Sequence, residues 1–317
     1  MINPYSSVNW GTAQHIQSFS HRHLYNDATF QAAYERGFRH FPCSNYYPST
    51  PWYPLSSRFN NVPSDVLGAP NAEHHNMILD GVLRSGLHMN GLGSTWTSGK
   101  YQGETPVGVN NTWQYAVDNI IKNLQYPTGG GVTINHPVWS SLSVTDAMRI
   151  LDYDERVLGI EIYNDSCEYD NKTGWALDYW DTILKTGRRA WGFCVEDWRF
   201  TGRNILLVDE FTEQKCLEAY RNGNFYGKIN DTDLRFSGIT MSSNTLSVKT
   251  NNATMIKIVV DGVAREYSGN VATHTIPNTP TYVRVEAHTD ADSIFSNPIM
   301  FDQGGSKKRR NNVLLWY

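Results

Sequence analysis

Along residues 112–124 the apolar side chains Trp113, Ala116, Val117, Ile120, Ile121 and Leu124 fall at the three- and four-residue spacing of one helix face. The breaker Pro127-Thr128-Gly129-Gly130-Gly131 stops that helix, and the apolar run 132–135 after it reads as a strand. The alternation recurs along the chain. A helix over 28–36 stops at Gly37 before a strand over 38–43, and helix 144–151 precedes strand 157–163. Helix 177–185 precedes strand 190–195, and a helix over 212–221 has Gly223 past its end. Repeated strand–loop–helix units predict an α/β fold with a parallel sheet, its chemistry in the loops that follow the strands.

After about residue 230 the pattern changes. Short, often alternating runs at 234–240, 245–250, 255–260, 264–267, 272–276 and 282–287 are separated by turn residues such as Ser242-Ser243-Asn244 and Asp261-Gly262. They predict a small antiparallel β-sandwich. The expected organisation is therefore an α/β part at 1–230, a β-module at 231–303 and a basic, apolar tail at 304–317. Residues 45–65 read as a long loop rich in Pro, Tyr, Ser and Asn, and such loops often carry function.

Composition narrows the classes. With 317 residues, 40% hydrophobic and a net charge of −4, the chain has the make-up of an ordinary soluble protein with a sizeable core. No apolar run approaches the roughly 18 residues of a membrane span. The N-terminal Met1-Ile2-Asn3-Pro4-Tyr5 does not read as a secretory signal. Cys43, Cys167, Cys194 and Cys216 are widely spaced and read as reduced thiols, so a cytoplasmic location is expected. Lys307-Lys308-Arg309-Arg310 is the one block of like charge; it reads as a solvated tail, and a nucleic-acid partner is not expected.

Candidate chemistry is concentrated at the front. Eight of the ten histidines precede residue 137, mostly in polar clusters at the ends of apolar runs. His15, Glu73-His74-His75, His88 and Asn135-His136-Pro137 are followed much later by Asp197, after the apolar run 190–195. Scattered His, Glu and Asp converging from strand ends are how such a fold builds a metal site. His21 and His23 read as capping or solvating the next helix. Glu161, between apolar neighbours in a strand, reads as a reserve ligand or as a core acid paired with Arg188 or Arg189.

At these clusters the chain resembles the polymerase-and-histidinol-phosphatase (PHP) superfamily of metal-dependent phosphoesterases. The resemblance covers about residues 10–230 and implies a distorted (β/α)7 TIM-like barrel, followed by a β-module. The family opens with His-x-His; His15-Ile16-Gln17 matches its first ligand, with Gln17 in place of the second. Phe41-Pro42-Cys43-Ser44-Asn45 stands where the family has an Asp-His pair. Glu73 and His88 match the third motif and His136-Pro137 the His-Pro motif. Asp197 matches the last, with Trp198 where a histidine is expected. The resemblance thus implies His15, Glu73, His88, His136 and Asp197 as ligands of one or two divalent ions, Zn, Mn or Fe. His74 is the candidate proton shuttle. Arg188, Arg203, Tyr46 and Trp52 are candidate contacts for a small phosphorylated or other anionic substrate. The alternative is a catalytically inactive, metal-free barrel acting as a binding or structural module in a larger assembly, such as a phage virion.

Overall fold

The computed structural model describes residues 1–46, 50–97, 112–277 and 280–301. The tail at 304–317 and Tyr47 of the long loop lie outside them.

Local chemistry sets the helix ends. Thr112, Ser143 and Thr212 each accept a hydrogen bond from the backbone N–H three residues on, and Asn26 does the same within a capping box with Thr29. Gly223 ends the last helix with a left-handed φ of 76°. In chain order the first part contains β1 (Gln14–Ser18), α1 (Asp27–Glu35), β2 (Phe38–Phe41), β3 (Leu67–Gly68), β4 (Glu73–His74), β5 (Met77–Leu79), β6 (Val82–Arg84) and β7 (Met89–Leu92). Then follow α2 (Trp113–Lys122), β8 (Gly131–Ile134), α3 (Val144–Leu151), β9 (Val157–Asn164), α4 (Asp165–Asn171), α5 (Leu177–Leu184), β10 (Trp191–Val195), β11 (Gly202–Val208), α6 (Glu213–Asn222) and β12 (Phe225–Ile229). The remainder is all strand: β13 (Phe236–Ser242), β14 (Thr245–Thr250), β15 (Met255–Val260), β16 (Val263–Ser268), β17 (Val271–Thr275), β18 (Tyr282–His288), β19 (Ser293–Ser296) and β20 (Ile299–Met300).

The fold is α/β with mixed sheets and few helices. One sheet runs β10-β9-β8-β7-β4. Its members β8, β9 and β10 are parallel, joined by helical crossovers, whereas β7 is antiparallel to both β8 and β4. The largest sheet runs β16-β15-β18-β19-β12-β11-β1-β2-β3. Strand pairing among the described residues does not trace a closed (β/α)7 ring. The physical reason lies in the connections: β10 passes to β11 through a short turn at 196–201 with no helix, and β1 then pairs with β11 antiparallel. Periodicity along the chain locates strands but not the sense in which they pair, and β11 and β12 were not among the strands it located.

Parallel β9 and β10 approach so closely that a Cβ at Gly159 would stand 1.9 Å from Trp191 O. The helices α2, α3 and α5 cover β8 and β9 through Ile120, Ile134, Ile150, Ile160 and Trp180. A second core lies between the β13-β14-β17 sheet and β15 and β18, with Ile239, Leu246 and Val248 meeting Ile256, Ile258 and Val285. The largest sheet crosses residue 230 without a break, because β12 pairs with β19. None of the helices is long and apolar enough to cross a membrane, among the described residues.

His40, on β2, is fully buried and hydrogen-bonds Ser18 Oγ at 2.7 Å. Burial disfavours its charged form and pushes its pKa down to about 3. The unfolded chain therefore takes up a proton near pH 6.5 that the folded chain refuses, so stability falls as pH drops from about 6.5 toward 3. We expect the urea midpoint to fall across this range, His40 contributing up to about 1.4 kcal/mol per pH unit. The His40→Gln variant should show a shallower slope between pH 6.5 and 4.5; an identical slope would assign the effect elsewhere.

Candidate metal centre

Two short ladders bring the centre together. Asp197 N donates to His21 O at 3.1 Å and His23 N donates to Asp197 O at 3.0 Å, which joins the segment after β1 to the segment after β10. Glu73 N donates to Ser44 O at 3.1 Å, and Asn135 N donates to His88 O at 3.0 Å. Asn71 and Asn90 both donate from Nδ2 to Ser20 O and fix the approach to His21. His136 and Asp197 hold positive φ angles of 25° and 57°. Such strain in non-glycine residues persists where the surroundings impose it and clusters at functional sites.

The result is a buried group of imidazoles and carboxylates. His21, His23 and Glu73 form one set of donor atoms, His21, His136 and Asp197 a second, and Glu73, His88 and His136 a third. His21 Nε2 lies 3.2 Å from His23 Nε2, 3.2 Å from Glu73 Oε2 and 3.5 Å from Asp197 Oδ1. His23 Nε2 lies 3.1 Å from Glu73 Oε2 and 3.3 Å from Asp197 Oδ1. A tetrahedron built on bonds of ~2.0–2.1 Å has an edge of about 3.3 Å, so these separations suit a Zn-sized ion. The other Glu73 oxygen, Oε1, faces His88 Nδ1 at 2.7 Å and His136 Nε2 at 3.5 Å. One carboxylate therefore faces two adjoining donor sets.

Outer partners orient the rings. His21 Nδ1 meets Glu161 Oε1 at 2.8 Å, His88 Nε2 meets Ser85 O at 2.9 Å, and His136 Nδ1 meets Ser140 Oγ at 3.2 Å. In each, the bonded nitrogen leaves the other one facing inward, the arrangement usual for metal-binding histidines. Glu161 Oε2 also accepts from His136 N at 2.8 Å and from Asn164 Nδ2 at 2.9 Å. Its partners are thus the centre itself, not Arg188 or Arg189.

The buried carboxylates need positive charge beside them, from the imidazoles or from a bound cation. Glu73, Glu161 and Asp197 are all buried, and buried charges must be compensated. Burial opposes a charge on His21, but Asp197, Glu73 and Glu161 outweigh it and hold its pKa well above 6.5. Burial would raise Glu73, yet His21, His88 and His136 pull it well below the usual carboxylate range. Asp197, buried but beside His21 and His23, stands at about 2. Asp197 Oδ1, which faces His21 and His23, is buried without a hydrogen bond among the described residues. This orphaned atom, the edge lengths and the N/O donor set fit a bound divalent ion.

Of the ligands expected from sequence, Glu73, His88, His136 and Asp197 meet in this centre, and His15 does not. His15 lies on β1, with Nδ1 at 3.2 Å from Tyr226 Oη and its ring near Trp10. The pattern His21-Arg22-His23 stands where His15-Ile16-Gln17 was expected; Gln17 instead accepts from Arg203 at 2.9 Å. The same His-x-His spacing, six residues later, was the available signal. His74 also lies outside the donor sets. Successive strand residues point to opposite faces, so Glu73 on β4 enters the centre while His74 stacks on Trp96 at 4.8 Å. Burial lowers the His74 pKa to about 3.

The expected substrate contacts divide similarly. Tyr46 stacks on His23 at 4.4 Å, and Trp198 stacks on the same ring at 4.6 Å. Trp52 packs on Phe59 with Arg58 over its ring. Arg188 is engaged with Asp152, and Arg203 is buried against Asp231 and Gln17. Ser44, where the resemblance placed a missing ligand, accepts from Arg22 N at 2.8 Å and supports the His21–His23 segment.

No family model and no curated protein matches this chain. A solved structure is similar at a TM-score of 0.45 and 11% identity, covering 95% of this chain and 97% of the other. It is a two-domain protein from Bacteroides vulgatus ATCC 8482, described as containing a predicted PHP-like metal-dependent phosphoesterase.

Proposed function

We propose that this protein is a metal-dependent hydrolase of phosphoesters, with one or two divalent ions (Zn, Mn or Fe) held by His21, His23, Glu73, His88, His136 and Asp197. The observation that carries the reading is that His21 Nε2 and His23 Nε2 each lie 3.1–3.5 Å from both Glu73 Oε2 and Asp197 Oδ1, with the other oxygen of Glu73 turned to His88 and His136. The phosphoester class follows from the motif resemblance, whose opening His-x-His is supplied by His21 and His23. In this reading residues 1–230 carry the chemistry as a broken, barrel-like pair of sheets, and 231–303 form a bracing module.

A bound ion there would supply a water of lowered pKa and polarise a phosphoryl oxygen. The chain's own part is to position. Glu161 holds the His21 ring through Nδ1 and the His136 backbone through its N–H, so both imidazoles face inward. Asn135 Nδ2 donates to Glu73 Oε1 at 3.1 Å and fixes the plane of the shared carboxylate. Tyr46 and Trp198 both pack against His23, with their own ring centroids 6.1 Å apart, and help keep bulk water off it. His23 is 2% exposed, which limits its approach to solvent.

Hydrolysis of p-nitrophenyl phosphate by protein purified without chelator, before and after chelation and Mn²⁺ or Zn²⁺ return, tests the proposal. Metal-restored turnover is expected. Bound metal without turnover of any phosphoester would remove the activity and leave a metal-binding module. A paired substitution separates the ligands: His21→Ala should lower metal content and turnover by roughly 100-fold or more, while His15→Ala leaves both unchanged. Metal loss in His15→Ala would contradict the assignment.

A further inference from the structure

A cavity of about 560 Å³ opens beside the centre, sharing His88 with it. His75, Asn76, Ser85, Trp139 and Ser140 line the rest of it. Its size falls within the usual range of small-molecule sites, ~300–1,000 Å³. No Lys, Arg, Asp or Glu is among its lining residues. A second phosphate or a carboxylate seated there would meet no opposite charge. The amide of Asn76 and the hydroxyl of Ser85 instead offer both donors and acceptors.

Trp139 adds an apolar surface. Its ring stands nearly perpendicular to His136, with centroids 4.8 Å apart and planes at 78°. It is 41% exposed, so part of the indole remains open to a ligand. An indole surface beside short hydroxyl and amide groups matches a ring that is apolar on its faces and hydroxylated around its rim.

We propose that this cavity receives the neutral sugar ring of a sugar phosphomonoester, whose phosphate reaches the donor atoms beyond His88. The assignment rests on the phosphoesterase reading for the phosphate, but the ring site stands on its own lining. Substrates with a second anionic group on the ring are excluded by the same lining. The reaction splits the phosphomonoester bond with water, the sugar leaving with its hydroxyl and the phosphate as inorganic phosphate.

Gly86 allows a clean test. It lies on the cavity wall without a left-handed φ, and a Cβ there would stand 3.5 Å from Ser140 Cα and from Trp139 Cζ3, an ordinary contact. Gly86→Val, whose γ-methyls extend beyond that Cβ, narrows the cavity from a residue that is not a candidate ligand. Saturation-transfer NMR with methyl α-D-glucopyranoside, a sugar carrying no phosphate, reads ring binding without turnover. Transfer to the ring protons is expected for the unaltered chain, with loss in both Gly86→Val and Trp139→Ala at unchanged circular dichroism, and at unchanged metal content in Gly86→Val. No transfer, or equal transfer in both variants, would overturn the proposal, as would stronger transfer to phenol than to the sugar. Sugar binding in a chain that hydrolyses no phosphoester would remove the hydrolase reading while the ring site stands.

Discussion

Glu73→Gln is expected to empty at once the two donor sets that share Glu73. The substitution keeps the shape of the side chain but replaces a carboxylate with a neutral amide, a poor ligand for Zn²⁺ or Mn²⁺. Oε2 belongs to the His21, His23 and Asp197 atoms and Oε1 to His88 and His136. No other residue faces both sets through its two oxygens, among the described residues. The loss of an outer-shell partner costs roughly 10–100-fold in metal affinity or activity, and a shared ligand should exceed that. Metal per chain should fall toward zero and turnover should drop beyond 100-fold. Metal content equal to that of the unaltered chain would show that Glu73 is not a ligand.

The second large effect concerns stability. Arg284 on β18 holds Asp181 on α5 in a two-point pair, Nε to Oδ1 at 2.7 Å and Nη2 to Oδ2 at 2.8 Å. Its Nη1 donates to Glu286 Oε1 at 2.5 Å. All three side chains are buried, and the pair ties the covering helix to the largest sheet. Removing one member of a buried pair leaves an uncompensated charge, so Arg284→Ala should cost about 3–5 kcal/mol in urea unfolding. Glu286 is also buried, which raises its pKa, but His288, Arg284 and Lys257 bring it down to about 2. Its share of the stability is full above about pH 4.5 and is lost as pH falls through about 2. The double variant Arg284→Met, Asp181→Leu should recover part of the loss, because apolar replacement removes the stranded charge. A single variant within 1 kcal/mol of the original would refute this role of the pair.

The helices were largely legible. The face Trp113, Ala116, Val117 and Ile120 is buried as its spacing implies, and α3, α5 and α6 fall within a residue or two of their expected limits. Strand pairing was not, because parallel and antiparallel partners leave the same apolar run in the sequence. The centre was legible where a polar residue ends an apolar run, as at Glu73, His136 and Asp197. His21 and His23 were missed for the opposite reason. They lie beyond the end of β1 in a turn held by Asn71, Asn90 and the Asp197 backbone, and only the folded chain brings those together. Glu161 was read as a reserve ligand or an acid paired with Arg188 or Arg189; its partners, His21 and the His136 backbone, come from loops distant in sequence.

The central claim is that the buried His, Glu and Asp group is a metal centre. Elemental analysis of untagged protein, purified without chelator, tests it most directly by counting Zn, Mn and Fe per chain. The account predicts one or two ions per chain, lost on substitution of His21 or Glu73 and retained on substitution of His15. No stoichiometric metal, even after incubation with Mn²⁺ or Zn²⁺, would contradict it.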